Sequence, residues 1–236
     1  MKLLCYALLI AFCTSSMAER LIINTEEYAP LSYTEEGILK GIATEQVERI
    51  MLRAGVAFEM KVYPWARAYH KALTEKNTCV FTTSHTPERS QSFKWVEPLS
   101  LNMSVLVKLK SRSYQLSSLN EAKHLRIGVQ NEDVASVYLK NNGFSRLDRA
   151  SDADKSVLKL KANRVDLVAM AESRYLAMVE TGQPIEKVMD IFAIKMGLAC
   201  NPSVRDPIID RLQYQLDLLI ADGTQQAITK QYQPKP

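Results

Sequence analysis

Apolar and polar positions alternate along the first part of the chain in a way that predicts strands separated by helices. The apolar residues Ile42, Val47, Ile50 and Met51 recur at helical spacing, whereas "FEMKVY" alternates at the period of a half-buried strand. The predicted order is strand "RLIIN", helix "GIATEQVERIMLRAGV", strand "FEMKVY", helix "PWARAYHKAL" and strand "TCVFTT". This βαβαβ order favours a mostly parallel sheet with helices on both faces.

A second unit of the same kind follows. It is predicted as strand "LRIGVQ", helix "DVASVYLKNNG", strand "RLDRA", helix "DADKSVLKLKANR" and strand "VDLVAMA". Two such units in one chain predict an α/β protein with two lobes.

The segments around the second unit predict how the chain passes between the lobes. "VEPLSLNMSVLVKLKS" contains two extended apolar runs, and "IFAIKMGLAC" supplies another before the long helix "RDPIIDRLQYQLDLLIADG". We therefore predict lobe 1 over residues 19–100 and 196–236 and lobe 2 over residues 101–195, joined by a two-strand hinge. Ligands of open α/β sheets bind outside the carboxyl ends of the strands, which here face a cleft between the lobes.

The N-terminal segment "MKLLCYALLIAFCTSSMA" has a Lys, a short apolar stretch and small residues at its end. These features predict a secretory signal peptide over residues 1–18 with cleavage after Ala18, and hence a periplasmic protein. The alternative, a buried N-terminal helix, does not explain the polar break at "TSS". No other apolar run reaches the roughly 18–20 residues that a membrane helix needs, so no membrane-spanning segment is expected.

Composition narrows the classes of partner. Hydrophobic residues make up 47% of the chain, which suffices for a core, and 30 basic residues nearly balance 26 acidic ones. Because the charges are interspersed, no nucleic-acid partner is expected. The three histidines lack metal-ligand spacing, and no Gly-rich phosphate loop, serine elbow or paired-carboxylate motif is present, so neither a metal nor a cofactor is expected.

Cys79 and Cys200 are the cysteines that remain after the predicted signal peptide. An oxidising compartment allows a disulfide between them. Each also lies in an apolar, strand-like segment where a free cysteine packs as a small hydrophobic residue. The sequence leaves both interpretations open, since it does not give the distance between the two residues.

The stretch "TTSHTPERSQSFKWVEP" follows a buried strand and carries a candidate anion site. Thr86 is a suitable N-cap and Pro87 a suitable first helical residue, so a helix is expected to begin here with its N–H groups toward the cleft. A capping box would place Glu or Gln at position 89, yet the residue is Arg89. A bound carboxylate would offset this cation near the helix N-terminus, while the alternative is a solvated surface arginine.

Three further residues occupy strand ends or helix starts. Trp65 and Arg67 lie in "YPWARAYHKAL", and Tyr28 follows the first strand. Aromatic side chains there can close over a ligand, and an arginine can add an anion contact. The alternatives are ordinary core packing for the aromatic residues and a surface ion pair for Arg67.

The order and spacing of several stretches resemble an extracellular solute-binding protein of family 3, the class that serves polar amino acid ABC transporters. These stretches are "YAPLSYTEEGILKGIATEQVERI", "TPERSQSFKWVEPL", "LRIGVQ", "NRVDLVAMA" and "LIADGTQQAITKQY". The resemblance implies a type II periplasmic binding protein-like fold that closes on a small ligand. It also implies that Arg89 and Ser84 hold the ligand carboxylate and that Tyr28 and Trp65 form aromatic walls.

Two departures from the family pattern bear on the ligand. Ala171, followed by Glu172, stands where amino-acid binders carry an Asp for the α-ammonium group. The loop after "LRIGVQ" is Asn131-Glu132-Asp133 where the family commonly has Gly-Thr. The resemblance therefore does not predict a standard α-amino acid as the ligand, and Asp133 or Glu172 becomes the candidate contact for a cationic group.

The sequence thus predicts a binding protein for a small, polar, carboxylate-bearing molecule that is delivered to an ABC transporter permease or a membrane sensor. The "PWARA" element adds Arg67 as a further anion contact. Two other classes stay open: a dehydratase-like enzyme on the same scaffold, with Glu132, Asp133 or Glu172 as its acid or base, and a partner-binding module without a small ligand.

Overall fold

The computed structural model describes residues 20–232. The predicted signal peptide, residues 1–18, lies outside the described residues, so its prediction is untested.

Ten strands, eight α-helices and one 3₁₀ helix (Leu119–His124) occur within residues 20–232. The strands are β1 (Leu21–Thr25), β2 (Tyr33–Glu35), β3 (Ile38–Lys40), β4 (Phe58–Val62), β5 (Thr78–Ser84), β6 (Lys94–Leu109), β7 (Ile127–Gln130), β8 (Leu147–Ala150), β9 (Leu167–Ala171) and β10 (Ile185–Cys200). The helices are α1 (Ile42–Arg53), α2 (Trp65–Thr74), α3 (Pro87–Ser90), α4 (Val134–Asn141), α5 (Ala153–Lys161), α6 (Glu172–Glu180), α7 (Asp206–Ala221) and α8 (Thr224–Gln231).

Eight of these strands form one sheet in the order β4-β1-β5-β10-β6-β9-β7-β8. Strand β1 pairs in parallel with β4 and β5, and β7 pairs in parallel with β8 and β9. Between these two parallel groups lie β10 and β6, which pair antiparallel with each other and with their outer neighbours. The two βαβαβ units predicted from the sequence therefore form the two ends of the sheet.

The central strands β6 and β10 connect the two ends of the sheet, because each pairs with an outer neighbour as well as with the other. Strands β6 and β10 have 16 residues each, and their pairing extends from Leu109 opposite Ile185 to Lys94 opposite Cys200. The two extended runs predicted around residue 100 are thus one strand. One of its three register breaks lies opposite Gly197 and contains Pro98, which has no N–H to donate to a ladder.

Each end of the sheet has two hydrophobic clusters, one on each face. In the first unit, Leu21 and Ile23 of β1 pack with Val47 and Ile50 of α1. On the opposite face, Trp65 of α2 packs in another cluster with Ala68, Ala72 and Val80. Two further clusters flank the second unit. Helices therefore cover both sheet faces, as the strand and helix periodicity predicted.

Cys79 of β5 and Cys200 of β10 form a disulfide, with Cα atoms 3.9 Å apart. They are paired residues on neighbouring antiparallel strands. This pairing decides between the two interpretations that the sequence left open, because it places two residues separated by 121 positions side by side.

Several elements differ from the sequence predictions. Helix α3 has only four residues, so it is a single turn. The hairpin of β2 and β3 and helices α6 and α8 were not predicted. Among residues 20–232, no helix has both the length and the apolar composition that crossing a bilayer requires.

Candidate functional site

The carboxyl ends of β1 and β5 meet those of β7 and β9 where the two ends of the sheet face each other. Strand β5 is irregular just before this point, since Val80 pairs with Ala199 but Thr83 pairs with Gly197. Thr82 supplies the extra residue and has a φ of 58°, in the left-handed region that a β-branched residue rarely adopts. The irregularity sets the direction in which Ser84 and the turn of α3 leave the sheet.

Arg89 of α3 lies at the centre of this junction, with only 7% of its surface exposed. Its Nη1 donates to the main-chain carbonyl of Ser84 at 3.4 Å, and its Nη2 donates to the main-chain carbonyl of Glu132 at 2.7 Å. The guanidinium carbon is 4.8 Å from the centroid of the Tyr69 ring and 5.7 Å from that of Trp65. The predicted anion contact is therefore buried, and it is held by main-chain oxygens and aromatic faces.

The N-terminus of α3 is used internally. The hydroxyl of Thr86 accepts a hydrogen bond from the main-chain N–H of Arg89 at 3.3 Å, which is the capping bond expected from the sequence. Helix α3 has only one turn, so this bond uses one of the few main-chain N–H groups that were expected to face the cleft. The anion site predicted here therefore rests on the Arg89 side chain.

The loop after β7 reaches across to the first unit through the main chain of Glu132. This residue has a φ of 56°, and its carbonyl accepts from both Arg89 and the indole N–H of Trp65, the latter at 3.1 Å. The Glu132 side chain itself is exposed. The Asn131-Glu132-Asp133 loop thus closes over Arg89 with a carbonyl oxygen.

Tyr28 makes a second bond between the two units. Its hydroxyl accepts from the main-chain N–H of Ala171 at 3.0 Å. Burial of the phenol raises its pKa far above the usual range, and the nearby Asp133 raises it further. The phenol therefore stays neutral and holds the end of β9 against the loop that follows β1.

Glu26 is a buried carboxyl group that was not among the site residues predicted from the sequence. It is 8% exposed, and its Oε2 accepts from the Nε2 of Gln130 on β7. Burial raises the pKa of Glu26 well above its usual value, and the charges of Asp133 and Asp152 raise it further, whereas the Gln130 bond lowers it. The "EEY" stretch after the first strand is only a weak indication of a buried carboxyl group, since acids at a strand end are usually solvated.

Asp133 joins the same group from the second unit. Its carboxylate accepts from the main-chain N–H of Ala135 at 3.3 Å and so caps α4. Burial raises the pKa of Asp133, while the positive charge of Arg89 lowers it. Asp133 lies close enough to Glu26 and Tyr28 for its charge to raise the pKa of both groups.

A cavity of about 520 Å³ opens between the two units beside this group. It is lined by Glu26, Glu27, Val62, Tyr63 and Pro64 from the first unit and by Ser151, Asp152, Asp154, Lys155 and Leu158 from the second. Four of these ten residues are acids and one is basic. Arg174 pairs with Asp154 at 2.6 Å, so part of this negative charge is already neutralised.

The remaining predicted site residues lie at different places. Ser84 is buried and accepts from Arg89 through its carbonyl. Arg67 is exposed, with its guanidinium carbon 4.7 Å from the centroid of the Tyr63 ring, which places it at the edge of the cavity. Glu172 pairs with Lys187 at 2.8 Å. The structure therefore brings Tyr28, Trp65, Ser84, Arg89 and Asp133 to one junction and leaves Arg67 and Glu172 outside it.

No group of three or more His, Cys, Asp or Glu side chains suited to a metal ion occurs within the described residues 20–232.

Comparison with known proteins adds a family relationship. Residues 21–235 match the sequence profile of the bacterial extracellular solute-binding proteins, family 3. ABC transporter arginine-binding protein 1 of Escherichia coli (strain K12) is 27% identical over 157 residues, which is 64% of this chain and 63% of that protein. The match thus spans less than two thirds of this relative.

Two solved structures share the fold. An ancestral arginine-binding protein bound to arginine superposes with a TM-score of 0.83 at 21% identity, covering 92% of this chain and all of that one. A histidine kinase sensor domain with similarity to periplasmic binding proteins superposes with the same TM-score at 15% identity, covering 90% of this chain and 95% of that one. At these identities the likeness shows the fold alone, and it confirms the predicted two-lobed, type II periplasmic binding protein-like architecture.

Proposed function

Because the chain belongs to the bacterial extracellular solute-binding proteins, family 3, we propose that it captures a small amino-acid-like ligand by closure of its two lobes. The ligand carries a carboxylate, held by Arg89, and a cationic group, held near Glu26 and Asp133. The sequence predicted Arg89 as the contact for the carboxylate, but it left the contact for the cationic group open between Asp133 and Glu172.

The observation that supports this proposal is the presence of opposite charges at one buried junction. Arg89 supplies a guanidinium whose Nη2 is occupied by a neutral carbonyl, and an arginine can bind a carboxylate through two parallel hydrogen bonds. Glu26 is a buried acid and Asp133 a half-buried one, and both have raised pKa values, a state that a bound cation would relieve. A zwitterion offers both charges at once.

Asp133 and Glu26 supply the negative charge that Ala171 lacks at the family's usual position for the α-ammonium contact. The family position for the α-ammonium contact is apolar here, and Glu172 beside it is paired with Lys187. The cationic group would therefore lie toward the β1 and β7 strand ends rather than at the end of β9. The acid-rich cavity provides room for the rest of the ligand, with Tyr63 as an aromatic wall. Arg67 stays a candidate contact at its rim.

The proposal also covers the setting of the protein. The family is extracellular, and we place this protein in the periplasm after removal of residues 1–18, where it delivers its ligand to an ABC transporter permease or a membrane sensor. The lobes are taken as residues 19–100 with 196–236 and residues 101–195. The role is binding rather than turnover: Glu132 presents a main-chain oxygen, Asp133 caps a helix and Glu172 is ion-paired.

A matched ligand series tests the two-charge requirement. Thermal unfolding would be followed with arginine or glutamine, with agmatine, which lacks the carboxylate, and with hexanoate, which lacks the cation. A ligand that binds the folded state raises its stability by RT ln(1 + [L]/Kd). We expect a shift with at least one amino acid and little or none with agmatine or hexanoate. Equal shifts with hexanoate and amino acids would overturn the cation contact.

Two variants locate the cation contact. Asp133→Asn keeps a good N-cap for α4 but removes the charge, so it should reduce the ligand shift while the protein remains folded. Glu172→Gln is the control, because the Glu172 carboxylate is engaged by Lys187. The contact would have to be reassigned if Glu172→Gln, and not Asp133→Asn, reduced the shift.

A further inference from the structure

Three side chains near the start of β6 form a hydrogen-bonded series that the proposed ligand site does not use. The hydroxyl oxygen of Ser90 is 2.6 Å from Nε2 of His85, and Nδ1 of His85 is 2.8 Å from Oε2 of Glu97. The order is hydroxyl, imidazole, carboxylate, which is the arrangement that activates a serine nucleophile. None of the three residues lines the cavity between the lobes.

The imidazole in the middle of the series is held from several sides. Its ring stacks on Trp95 with centroids 4.1 Å apart and planes inclined by 3°. The main-chain N–H of His85 donates to the carbonyl of Lys195 on β10 at 3.0 Å. These contacts fix the ring between β6 and β10, so its two nitrogen atoms point consistently at the two partners.

Glu97 is held equally well. Its main-chain N–H donates to Oε1 of Gln213 at 2.9 Å, and Nε2 of Gln213 donates back to its carbonyl at 2.9 Å. A carboxylate can only accept, so the hydrogen of the neutral imidazole lies on Nδ1, facing Glu97. Nε2 is then an acceptor for the Ser90 hydroxyl, which is the tautomer that a general base requires.

We propose that Ser90 is a nucleophilic serine that takes an acyl group from activated carboxylic esters. Its hydroxyl oxygen attacks the ester carbonyl carbon, and Nε2 of His85 accepts the hydroxyl proton. The carbon–oxygen bond to the leaving group then breaks, and the leaving alkoxide or phenoxide takes the proton from His85. The products are O-acyl-Ser90 and one alcohol or phenol, and no other reactant is needed.

The surface position of Ser90 makes this reaction possible. Ser90 is exposed, and the side chains of His85 and Glu97 keep 26% and 22% of their surface accessible. An ester can therefore approach Ser90 without opening of the lobes. Acylation should then be independent of the ligand that binds in the cleft.

Two main-chain N–H groups beside Ser90 are already engaged. The N–H groups of Ser90 and Ser92 already donate to the carbonyls of Thr86 and Arg89, at 2.9 and 3.0 Å. They do not form a free oxyanion hole, whose single donors contribute about 10²–10³ in rate in serine hydrolases. Acylation and hydrolysis of the acyl-serine are both slowed for this reason, and the good leaving group of an activated ester speeds only the first step. The expected product is a stably modified protein.

The experiment uses the purified protein with p-nitrophenyl acetate and with a fluorophosphonate probe. We expect one acetyl or phosphonyl group per chain, mapped to Ser90 by peptide mass spectrometry. Ser90→Ala should abolish the modification, and Ser92→Ala, two positions away, should not change it. His85→Gln should slow it by about a hundredfold, within the range of general-base contributions.

Glu97 is a positioning residue, and its test reads the imidazole directly. Nitrogen-15 NMR of the His85 ring should report the hydrogen on Nδ1, and Glu97→Gln should move it to Nε2 with loss of Ser90 modification, while the melting temperature stays near that of the wild type. The proposal is overturned by modification spread evenly over several residues, by equal labelling of Ser90 in His85→Gln, or by absence of any Ser90 adduct in the folded wild type.

Discussion

Arg89 donates a hydrogen bond of 2.7 Å to the main-chain carbonyl of Glu132, and this bond joins the turn after β5 to the loop after β7. A neutral oxygen therefore occupies the donor that we assign to a ligand carboxylate. A charged acceptor forms hydrogen bonds roughly twice as strong as a neutral one, so a carboxylate can replace this carbonyl.

Arg89→Lys should weaken binding of a carboxylate-bearing ligand by at least about tenfold, which is about 1.4 kcal/mol. A lysine keeps the charge but loses the planar fork and the stacking on Trp65 and Tyr69. Isothermal titration calorimetry with the best amino acid from the thermal series measures the change. The control is Arg49→Lys, at a surface ion pair with Glu45 that should have no effect. Unchanged affinity in Arg89→Lys would exclude the two-bond contact.

Glu26→Gln should remove a pH-dependent loss of stability. Because burial raises the folded-state pKa of Glu26, the folded protein holds this proton more tightly than the unfolded chain. The unfolding free energy therefore falls as pH increases from the usual carboxyl range toward the raised pKa, and Gln cannot ionise. We expect the variant to melt above the wild type at pH 8 and close to it at pH 4.

Differential scanning fluorimetry across this pH range provides the measurement, with each kcal/mol corresponding to about 2–4 °C in a chain of this size. Glu27→Gln is the matched control, since Glu27 is exposed and bonds to Thr34. A Glu26→Gln variant that loses stability equally at pH 4 and pH 8 would show that the carboxyl is needed for packing and not destabilised by burial.

Trp65 should report lobe movement by its fluorescence. Its indole N–H donates to Glu132 across the lobes, whereas the other tryptophan of the chain, Trp95, stacks on His85. Displacement of the Glu132 carbonyl by a ligand changes the surroundings of Trp65. We expect a ligand-dependent emission change that disappears in Trp65→Phe and persists in Trp95→Phe. The reverse pattern would place the movement elsewhere.

Local patterns predicted most of the fold because the apolar spacing of segments such as α1 and β4 is contained in the segments themselves. The continuity of β6 through Pro98 could not be predicted in this way. It depends on pairing with β10, whose residues lie about 90 positions further along the chain and tolerate a register break there.

Arg89 could be singled out from the sequence because it breaks a local rule at the third position of its helix. Glu26 was missed because an acid after a strand ordinarily faces solvent, and its burial arises only when Gln130 of the other lobe covers it. The Glu132 contact was missed for another reason. It is made by the main chain in a left-handed conformation, which a glutamate gives no signal for.

Removal of the Cys79–Cys200 disulfide should lower the unfolding free energy by roughly 3–5 kcal/mol, since the bond closes a long loop in the unfolded chain. The intervening separation is 121 residues. Urea denaturation of the Cys79→Ala, Cys200→Ala double variant measures the loss. Both sites are fully buried, so part of the change reflects packing, and comparison with the reduced wild type separates the two contributions. Equal stability of oxidised and reduced protein would contradict the expectation.

The acceptor that faces Arg89 has a consequence for sequence variation. A main-chain oxygen is present whatever side chain occupies position 132, so substitutions there can alter the loop conformation but cannot delete the acceptor. In the protein without ligand, this main-chain oxygen therefore competes with the ligand carboxylate for Arg89. The apparent affinity scales with the fraction of molecules in which the oxygen has moved away. Related proteins could tune their affinity through this opening equilibrium while the residues that touch the ligand stay the same.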